Sequence, residues 1–276
     1  MKPDRYNRHR RQKPTPARLA AVTLLALGWP LWATAQLESA EDVTLCMNGN
    51  VPQQTFSQML GITTYDASSI ERRMVVQMYG RRIGERSINL MLHVLRPEEL
   101  AGTRYLLRSG VEHDDVRIYL PSLKATREID GEMVWSNLWG TDFSYVDLKQ
   151  IFGVFSQAHV ERGADGVIDD RATYQLSVLR PERSRSPYGR IVSHVDQRTC
   201  LALQVDFYAP DGRQLKQLQL NPEILSKEDG RFVGHEWTMQ DLRTPRRRTE
   251  LHLGDVRYHT DLDDNAFSPR LFMTVD

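Results

Sequence analysis

The sequence predicts a mainly β protein in which antiparallel strands follow one another along the chain. Apolar residues beyond residue 70 alternate with polar ones at a period of two, which is typical of half-buried strands. Turn-forming residues separate these runs at hairpin spacing, as at Asp130-Gly131, Asp165-Gly166 and Asp229-Gly230. The regular strand–helix–strand rhythm of a parallel sheet is missing. These observations predict about ten or eleven strands in an antiparallel meander.

Individual strands can be placed from the alternation. In residues 87–95, one face carries the apolar side chains of Ile88, Leu90, Leu92 and Val94. The same alternation is found in residues 172–179 and 201–207. Residues 201–220 predict a hairpin about Pro210-Asp211-Gly212, and residues 231–258 predict a second hairpin about the arginine-rich turn 242–249.

Helical signal is confined to two short segments. Residues 52–60 lie between a helix-starting proline and a glycine, and this predicts a short helix. Residues 144–152 predict another, because Ser144 can cap it and Asp147 occupies the acidic position of a capping box. Neither an internal repeat nor an interdomain linker interrupts the chain, so residues 36–276 are predicted to form a single domain.

Some strands carry apolar residues on both faces, as in residues 104–109 and 116–123. One interpretation is a strongly twisted sheet that packs on helices with one face and lines a cavity or lumen with the other. The alternative is a two-sheet sandwich in which both sets of residues belong to the core. The alternation itself is compatible with both architectures.

The first 35 residues have the layout of a secretory signal peptide. A basic start is followed by the apolar run 19–32 and by Ala33-Thr34-Ala35, which matches a cleavage site. A membrane anchor is the alternative, but the run is shorter than the roughly 20 residues that span a bilayer. A twin-arginine signal is disfavoured because polar residues follow the arginines. We therefore expect an exported, periplasmic protein whose mature chain begins at Gln36.

The charge of that mature chain argues against nucleic-acid binding. The full sequence has 36 basic and 36 acidic residues, and residues 1–35 hold seven of the basic residues and one of the acidic ones. The remaining chain has a net charge of −6. Sequence-independent nucleic-acid binding depends on cationic side chains that neutralise phosphates, so no nucleic-acid partner is expected.

Two cysteines are present, Cys46 and Cys200. An even number of cysteines in an oxidising compartment favours a disulfide. Two unrelated buried thiols are the alternative. A bond would tie the N-terminal region of the mature chain to a predicted strand in its second half.

The sequence contains no clear constellation of catalytic or metal-binding residues. His235-Glu236 begins like a zinc-protease motif, but Met239 occupies the place of the second histidine ligand. Residues 261–265 are acidic but lack the glycine and the distal glutamate of an EF-hand loop. A G-x-S-x-G elbow and a glycine-rich phosphate loop are missing as well. We therefore expect no metal, no cofactor and no enzymatic activity.

A basic cluster lies in the turn of the second predicted hairpin and consists of Arg243, Arg246, Arg247 and Arg248. Such a cluster is either a solvated hairpin tip or a docking patch. In the second case, the cations would attract anionic headgroups or an acidic partner.

The most distinctive stretches of the chain are residues 117–129 (RIYLPSLKATREI), 138–148 (LWGTDFSYVDL), 201–220 and 236–272. Together they resemble the LolA-like family of outer-membrane lipoprotein-sorting proteins, and the resemblance covers most of residues 60–272. Its sharpest part is the Leu-Pro end of a strand followed by G-T-D-F-S-Y-x-D-L. Val146 departs from the family pattern, which usually has an acidic residue there. The resemblance implies a half-open antiparallel β-barrel with short helices that cover an apolar concave face.

The same resemblance implies a carrier that binds a lipid or a lipid-modified protein in an apolar cavity and transports it towards the outer membrane. Because each exposed CH₂ group costs about 0.8 kcal/mol in water, an acylated cargo needs such a lining to cross an aqueous compartment. The expected partners are the acylated lipoprotein or lipid cargo, an inner-membrane exporter and an outer-membrane acceptor.

Ten residues are the candidates for this cavity. The expected lining on the sheet consists of Leu90, Leu92, Tyr105, Ile118 and Leu120. The expected lid consists of Trp135, Trp139, Phe143, Tyr145 and Leu148. Two other functions stay open: a cargo-free accessory subunit of a lipid exporter of the resistance-nodulation-division type, and a lipid hydrolase, for which the sequence offers no nucleophile–base pair.

Overall fold

The computed structural model confirms the mainly β architecture and describes residues 37–84, 87–109, 114–151, 159–180, 186–244, 246–254, 256–258 and 261–275. The predicted signal peptide lies outside the described residues. The helices are α1 (Ala40–Gly49) and α2 (Tyr145–Ile151). The strands are β1 (Thr55–Tyr65), β2 (Glu71–Ile83), β3 (Ser87–Arg96), β4 (Arg104–Arg108), β5 (Asp115–Leu120), β6 (Ala125–Glu128), β7 (His159–Arg162), β8 (Gly166–Ile168), β9 (Arg171–Leu179), β10 (Arg190–Asp196), β11 (Ala202–Tyr208), β12 (Gln214–Leu220), β13 (Leu225–Glu228), β14 (Arg231–Gly234), β15 (Glu236–Asp241), β16 (Arg248–Leu253) and β17 (Arg257–Tyr258).

Among the described residues, fifteen strands form one antiparallel sheet, with the path β6-β5-β4-β3-β2-β1-β16-β15-β12-β11-β10-β9-β7 and with β17 beside β1 and β8 beside β9. Strands β13 and β14 form a separate hairpin. The path does not close on itself, so the half-open antiparallel prediction is confirmed and the two-sheet sandwich is excluded. The strand count exceeds the predicted ten or eleven because strands as short as β8 and β17 show no alternation in the sequence.

The two free ends of the sheet are joined by the segment that crosses its inner face. The chain leaves the sheet at β6 and rejoins it at β7, and both lie at the ends of the strand path. We call residues 131–151 the covering segment; it consists of the 3₁₀ turns Gly131–Trp135 and Leu138–Gly140 followed by α2. The predicted helix at 144–152 is thereby confirmed within one residue at either end.

The sheet buries apolar side chains on both faces, but for different reasons. The inner face of β3 carries Leu90 and Leu92 in the main core, which the covering segment helps to close. On the outer face, Met91 of β3 and Leu106 of β4 pack against a C-terminal segment that includes Phe267. The cavity interpretation of the two-sided strands was therefore incomplete, because the C-terminal residues cover the second face.

The helix predicted at residues 52–60 is wrong. Residues 55–65 form strand β1, which pairs with β2 on one side and with β16 on the other. Phe56, Leu60 and Ile62 alternate on the inner face, so pairing and burial outweigh the proline and glycine that suggested a helix. The N-terminal helix lies earlier, at α1, where Ser39 and Asp42 form a capping box.

Helix α1 is fixed to the sheet by the disulfide between Cys46 and Cys200, whose Cα atoms are 5.7 Å apart. Asn50 reinforces the attachment: its Nδ2 donates to the carbonyl of Thr199 at 2.7 Å, and its Oδ1 accepts from the amide of Phe232 at 3.0 Å. The predicted disulfide is present in the structure. Within the described residues, no helix is long and apolar enough to cross a membrane.

Candidate functional site

An apolar pocket lies between the inner face of the sheet and the covering segment. We call it the covered pocket; its volume is about 20 Å³, and its walls are Leu60, Ile62, Met78, Leu90, Leu92, Leu138, Trp139, Thr141, Phe143, Leu148 and Leu251. A cavity needs roughly 10–15 Å³ to hold one water molecule, so the pocket has room for one or two such groups. An acyl chain would fit only if the covering segment moved.

The predicted lining residues all lie on the strands that face this region. Leu90 and Leu92 line the covered pocket itself. Tyr105 is buried beside it and Ile118 packs against the same core, but neither contributes to the pocket wall. Leu120, at the end of β5, is half-buried and lies farther along the strand. The structure thus gathers two of the five predicted lining residues at the pocket.

The predicted lid residues all belong to the covering segment. Trp139, Phe143 and Leu148 line the covered pocket. The ring of Trp139 meets Tyr105 edge-on at a centroid distance of 4.8 Å, and Tyr145 packs on the same ring at 5.7 Å. Trp135 lies apart from the pocket, edge-on to Tyr188 at 6.0 Å.

Several wall residues of the covered pocket were not predicted from the sequence. Leu60 and Ile62 were hidden by the incorrect helix at 52–60, although their spacing of two residues is a strand signal. Met78 of β2 and Leu251 of β16 share the same alternation with buried neighbours on their own strands. Leu138, which lies between the predicted lid residues Trp135 and Trp139, also lines the pocket but was not predicted.

A buried ion pair fastens the covering segment to the sheet. Lys216 of β12 and Asp147 of α2 are 2 % and 0 % exposed, and the lysine Nζ lies 2.8 Å from the aspartate Oδ2. The same Nζ donates to the carbonyl of Asp142 at 2.8 Å, and the hydroxyl of Tyr188 donates to the other carboxylate oxygen of Asp147 at 2.9 Å. Both oxygens of this carboxylate are therefore satisfied without water.

A second polar contact holds the middle of the covering segment. The hydroxyl of Thr249 donates to Oδ2 of buried Asp142 at 2.8 Å and accepts from the Asp142 amide at 2.9 Å. Arg247 places its Nε 2.6 Å from Oδ1 of the same carboxylate. The Arg247 guanidinium also donates to the carbonyls of Gly140 and Thr141 at 3.1 and 3.2 Å. Polar contacts thus hold the covering segment in place, although the side that faces the pocket is apolar.

Burial raises the pKa of the phenol groups of the site further above neutral pH. It raises the pKa of Tyr105 to about 12 and also raises the pKa of Tyr145 and of Tyr188, the last with help from the negative charge of Asp147. Burial likewise raises the pKa of Asp142 above its ordinary value, against the opposing effects of the Thr249 hydrogen bond and the Arg247 charge. A new charge in this region would meet the same desolvation cost.

The capping box of α2 is buried, and it can be tested against the exposed one of α1. The amide of Ser144 donates to Asp147 at 2.8 Å, and the Ser144 hydroxyl accepts from the Asp147 amide at 3.3 Å. We expect Ser144→Ala to lower the free energy of unfolding by about 1–2 kcal/mol, measured by urea denaturation. Ser39→Ala is the matched control and should cost less, because water can reach the exposed amides there. An equal or larger loss from Ser39→Ala would contradict the role of the buried box.

A larger pocket lies at the other end of the inner face, beside the disulfide. We call it the disulfide pocket; its volume is about 70 Å³, and its walls are Met47, Asn50, Val51, Pro52, Phe56, Gln58, Cys200, Leu201, Ala202, Phe232, Val233, Gly234, Trp237, Leu253, Val256 and Tyr258. Helix α1, the hairpin β13–β14 and strand β17 provide much of this wall. Of these residues, Cys200 was predicted as half of the disulfide, and none was predicted to line a cavity.

Three of the four predicted docking arginines have partners within the protein. Arg243 makes two hydrogen bonds to Asp241, at 2.8 and 2.7 Å. Arg248 contacts Glu250 at 2.9 Å and stacks over Tyr65. Arg247 holds the covering segment. Arg246 is exposed and has no ion pair among the described residues. A docking role for this cluster stays a prediction.

One contact bears on the hydrolase alternative. Ser226 Oγ lies 2.7 Å from Nε2 of His235, whose Nδ1 is 2.8 Å from the carbonyl of Leu253. The same hydroxyl lies 2.6 Å from Glu228, and neither Ser226 nor His235 lines a pocket described above. The three side chains join the hairpin β13–β14 to strand β16. In the part of the chain that the structure describes, no group of three or more His, Cys, Asp or Glu residues could hold a metal ion.

A half-open antiparallel sheet with an apolar inner face and a crossing segment defines the LolA-like fold, and solved structures share it. A DUF1329 family protein from Desulfovibrio piger is 22% identical, with a TM-score of 0.74 over 83% of this chain and 95% of that one. A domain from Vibrio parahaemolyticus described as an outer membrane lipoprotein-sorting protein is 20% identical, with a TM-score of 0.76 over 85% and 98%. A LolA superfamily protein from Nitrosomonas europaea is 19% identical, with a TM-score of 0.68 over 84% and 98%.

The family itself is defined by sequence. A family model with the description "uncharacterized protein" matches residues 88–274, which is more than half of the chain. The chain belongs to this family, DUF1329, whose D. piger member shares its fold. No functionally curated protein matches the chain.

Proposed function

We propose that this protein is a periplasmic carrier that binds a lipid or a lipid-modified protein against the inner face of its sheet and takes it towards the outer membrane. It acts without enzymatic chemistry, metal or cofactor. The proposed partners are an acylated lipoprotein or lipid, an inner-membrane exporter that delivers it, and an outer-membrane acceptor. The description of the Vibrio relative as a lipoprotein-sorting protein supports this class of cargo.

The observation that carries the proposal is a largely apolar interface beneath a segment that is held by polar contacts. The walls of the covered pocket consist of apolar side chains and Thr141. The contacts that keep the covering segment closed are the Lys216–Asp147 ion pair and the Asp142 contacts with Thr249 and Arg247. Displacing the segment would expose an apolar trough, and acyl chains would replace the contacts that the segment had made with the sheet.

The test is the lipid content of protein purified from cells that express the full chain with its N-terminal segment. We expect acyl lipid to co-purify and to be detected by mass spectrometry of the organic extract. Phe143→Asp should reduce the lipid per protein by roughly tenfold or more, because its carboxylate would have to be buried against the acyl chain.

Phe267→Asp is the matched control for this variant. Phe143 and Phe267 are 3% and 5% exposed, but Phe267 packs on the outer face of the sheet. Both substitutions bury a carboxylate and destabilise the fold, whereas only Phe143→Asp should remove the lipid. Equal loss of lipid in both variants, or wild-type protein that carries no lipid and binds no acyl probe, would refute the carrier.

The two alternative functions give different results in the same preparations. A cargo-free accessory subunit would carry no lipid and would crosslink to an exporter through the arginine cluster, with loss of the crosslink in Arg246→Glu. A lipid hydrolase would turn over acyl esters, and Ser226→Ala would abolish the turnover because the Ser226–His235 contact is the candidate nucleophile–base pair.

A further inference from the structure

The disulfide pocket continues the inner face beyond the covered pocket. On β1, Phe56 and Gln58 line the disulfide pocket, whereas Leu60 and Ile62 line the covered pocket. On β16, Leu253 lines the disulfide pocket and Leu251 lines the covered pocket. Alternate residues of a strand are about 6.6–6.8 Å apart, so the two pockets are neighbours along the same trough.

One polar side chain in this pocket has an unsatisfied donor. Gln58 is 4% exposed, and its Nε2 has no hydrogen-bond partner within the described structure. The other amide in the wall, Asn50, bonds to Thr199 and Phe232, and the indole N–H of Trp237 donates to the carbonyl of Gly234 at 3.1 Å. Buried donors without a partner are rare in folded proteins, which makes the Gln58 amide a candidate ligand contact.

Among the described residues, the wall of the disulfide pocket carries no charged side chain. Its residues are apolar except for Asn50, Gln58, Cys200 and Tyr258, and Cys200 is in the disulfide. The Tyr258 phenol is neutral at physiological pH, as phenols ordinarily are, and burial raises its pKa further. A ligand carboxylate would lose its hydration without gaining a cation from the described wall residues, whereas a neutral carbonyl can accept from Gln58 at little cost.

We propose that the disulfide pocket is a second binding site of the carrier, which takes the carbonyl end of an acyl chain in ester or amide linkage and holds it through Gln58. This inference rests on the proposed carrier function and adds the chemical class of the group recognised. At roughly 10–15 Å³ per water-sized group, about 70 Å³ accommodates about five such groups. That volume fits the carbonyl and the first carbons of a chain whose remainder continues along the trough.

The test uses three matched long-chain probes that carry bromine near the head: a methyl ester, an alkane and a carboxylate. Bromine quenches nearby indoles, and Trp237 lies in the wall of the disulfide pocket. We expect the ester to bind the wild-type protein roughly threefold to tenfold more tightly than the alkane, as one hydrogen bond provides, and more tightly than the carboxylate. In Trp237→Phe, the quenching should be largely lost.

Gln58→Leu is the decisive variant because it removes the donor amide and puts an apolar side chain of similar size in its place. It should fold and melt at the same or a higher temperature than the wild type, because an unsatisfied buried amide is removed. The preference for ester over alkane should disappear, while alkane affinity is kept.

Three results would overturn the inference: no ester preference in the wild type, quenching that survives Trp237→Phe, or Gln58→Leu weakening ester and alkane equally. These results leave the carrier function intact as long as acyl probes bind and Phe143→Asp reduces that binding. A protein that binds none of the three probes refutes the carrier and this inference together.

Discussion

Lys216→Met should lower the free energy of unfolding by about 3–5 kcal/mol, because it leaves the carboxylate of Asp147 buried without its cation. Lys216 and Asp147 lie 2.8 Å apart, and both are almost fully buried. The methionine fills most of the lysine volume, so the loss reports the missing charge rather than a cavity. Urea unfolding followed by tryptophan fluorescence and by circular dichroism provides the measurement.

The control for this substitution is Lys124→Met, which makes the same chemical change at an exposed lysine and should alter stability by less than about 0.5 kcal/mol. The double variant Lys216→Met/Asp147→Asn should recover much of the loss, since neither partner is then charged. If the effects of the two single substitutions simply add in the double variant, the ion pair does not hold the covering segment.

Lys216→Met should speed up cargo binding even though it lowers the stability of the fold. The Lys216 ammonium joins the sheet to two residues of the covering segment, Asp142 and Asp147. Loss of these contacts favours the open arrangement, so acyl probes should associate faster with Lys216→Met than with the wild type. This result would distinguish a cover that moves from one that is part of a static core.

Lys216 also shows how much of the buried ion pair can be predicted from the sequence. In QLKQLQL, Lys216 is in phase with Leu218 and Leu220, so a charged residue occupies a position that alternation assigns to the core. This signal predicts a buried partner, because a lone buried cation is too costly. It does not predict which of the many acidic residues is the partner, since Asp147 reaches Lys216 only when the chain crosses from β6 to β7.

Strand periodicity predicted the inner face well. A central strand pairs with a strand on each side, so its alternation of apolar and polar residues matches the burial of its two faces. Leu90 and Leu92 were chosen from alternation and lie in the covered pocket. The region 52–60 failed because Pro52 and Gly61 suggested helix limits, and two flanking strands outweighed that local preference.

The outer-face cluster could not have been predicted. Its C-terminal members, including Phe267 and Phe272, lie in 3₁₀ turns, which have too few residues to show a period. Met91 and Leu106 revealed only that a second face was apolar. Which residues cover them depends on where the chain runs in the folded protein. The same dependence explains why Gln58 and the disulfide pocket were not predicted.

Removing the disulfide should produce the second large loss of stability. The bond closes a span of 154 residues, and the chain-entropy model gives about 5 kcal/mol as an upper value for this length. We expect the double variant Cys46→Ser/Cys200→Ser to lose about 3–5 kcal/mol in urea denaturation. Each single variant should lose a similar amount, because either substitution removes the whole bond, and reduced wild-type protein should match them.

The bond is expected to act mainly on the unfolded chain, so the native position of α1 should survive its removal. Val43 and Met47 of α1 are buried in the main core, and Asn50 keeps hydrogen bonds to Thr199 and Phe232. Amide hydrogen exchange of α1 in the double variant should therefore accelerate only as much as that of the central strands. Selective exposure of α1, with the strands still protected, would show instead that the disulfide holds the helix locally and thereby maintains one wall of the disulfide pocket.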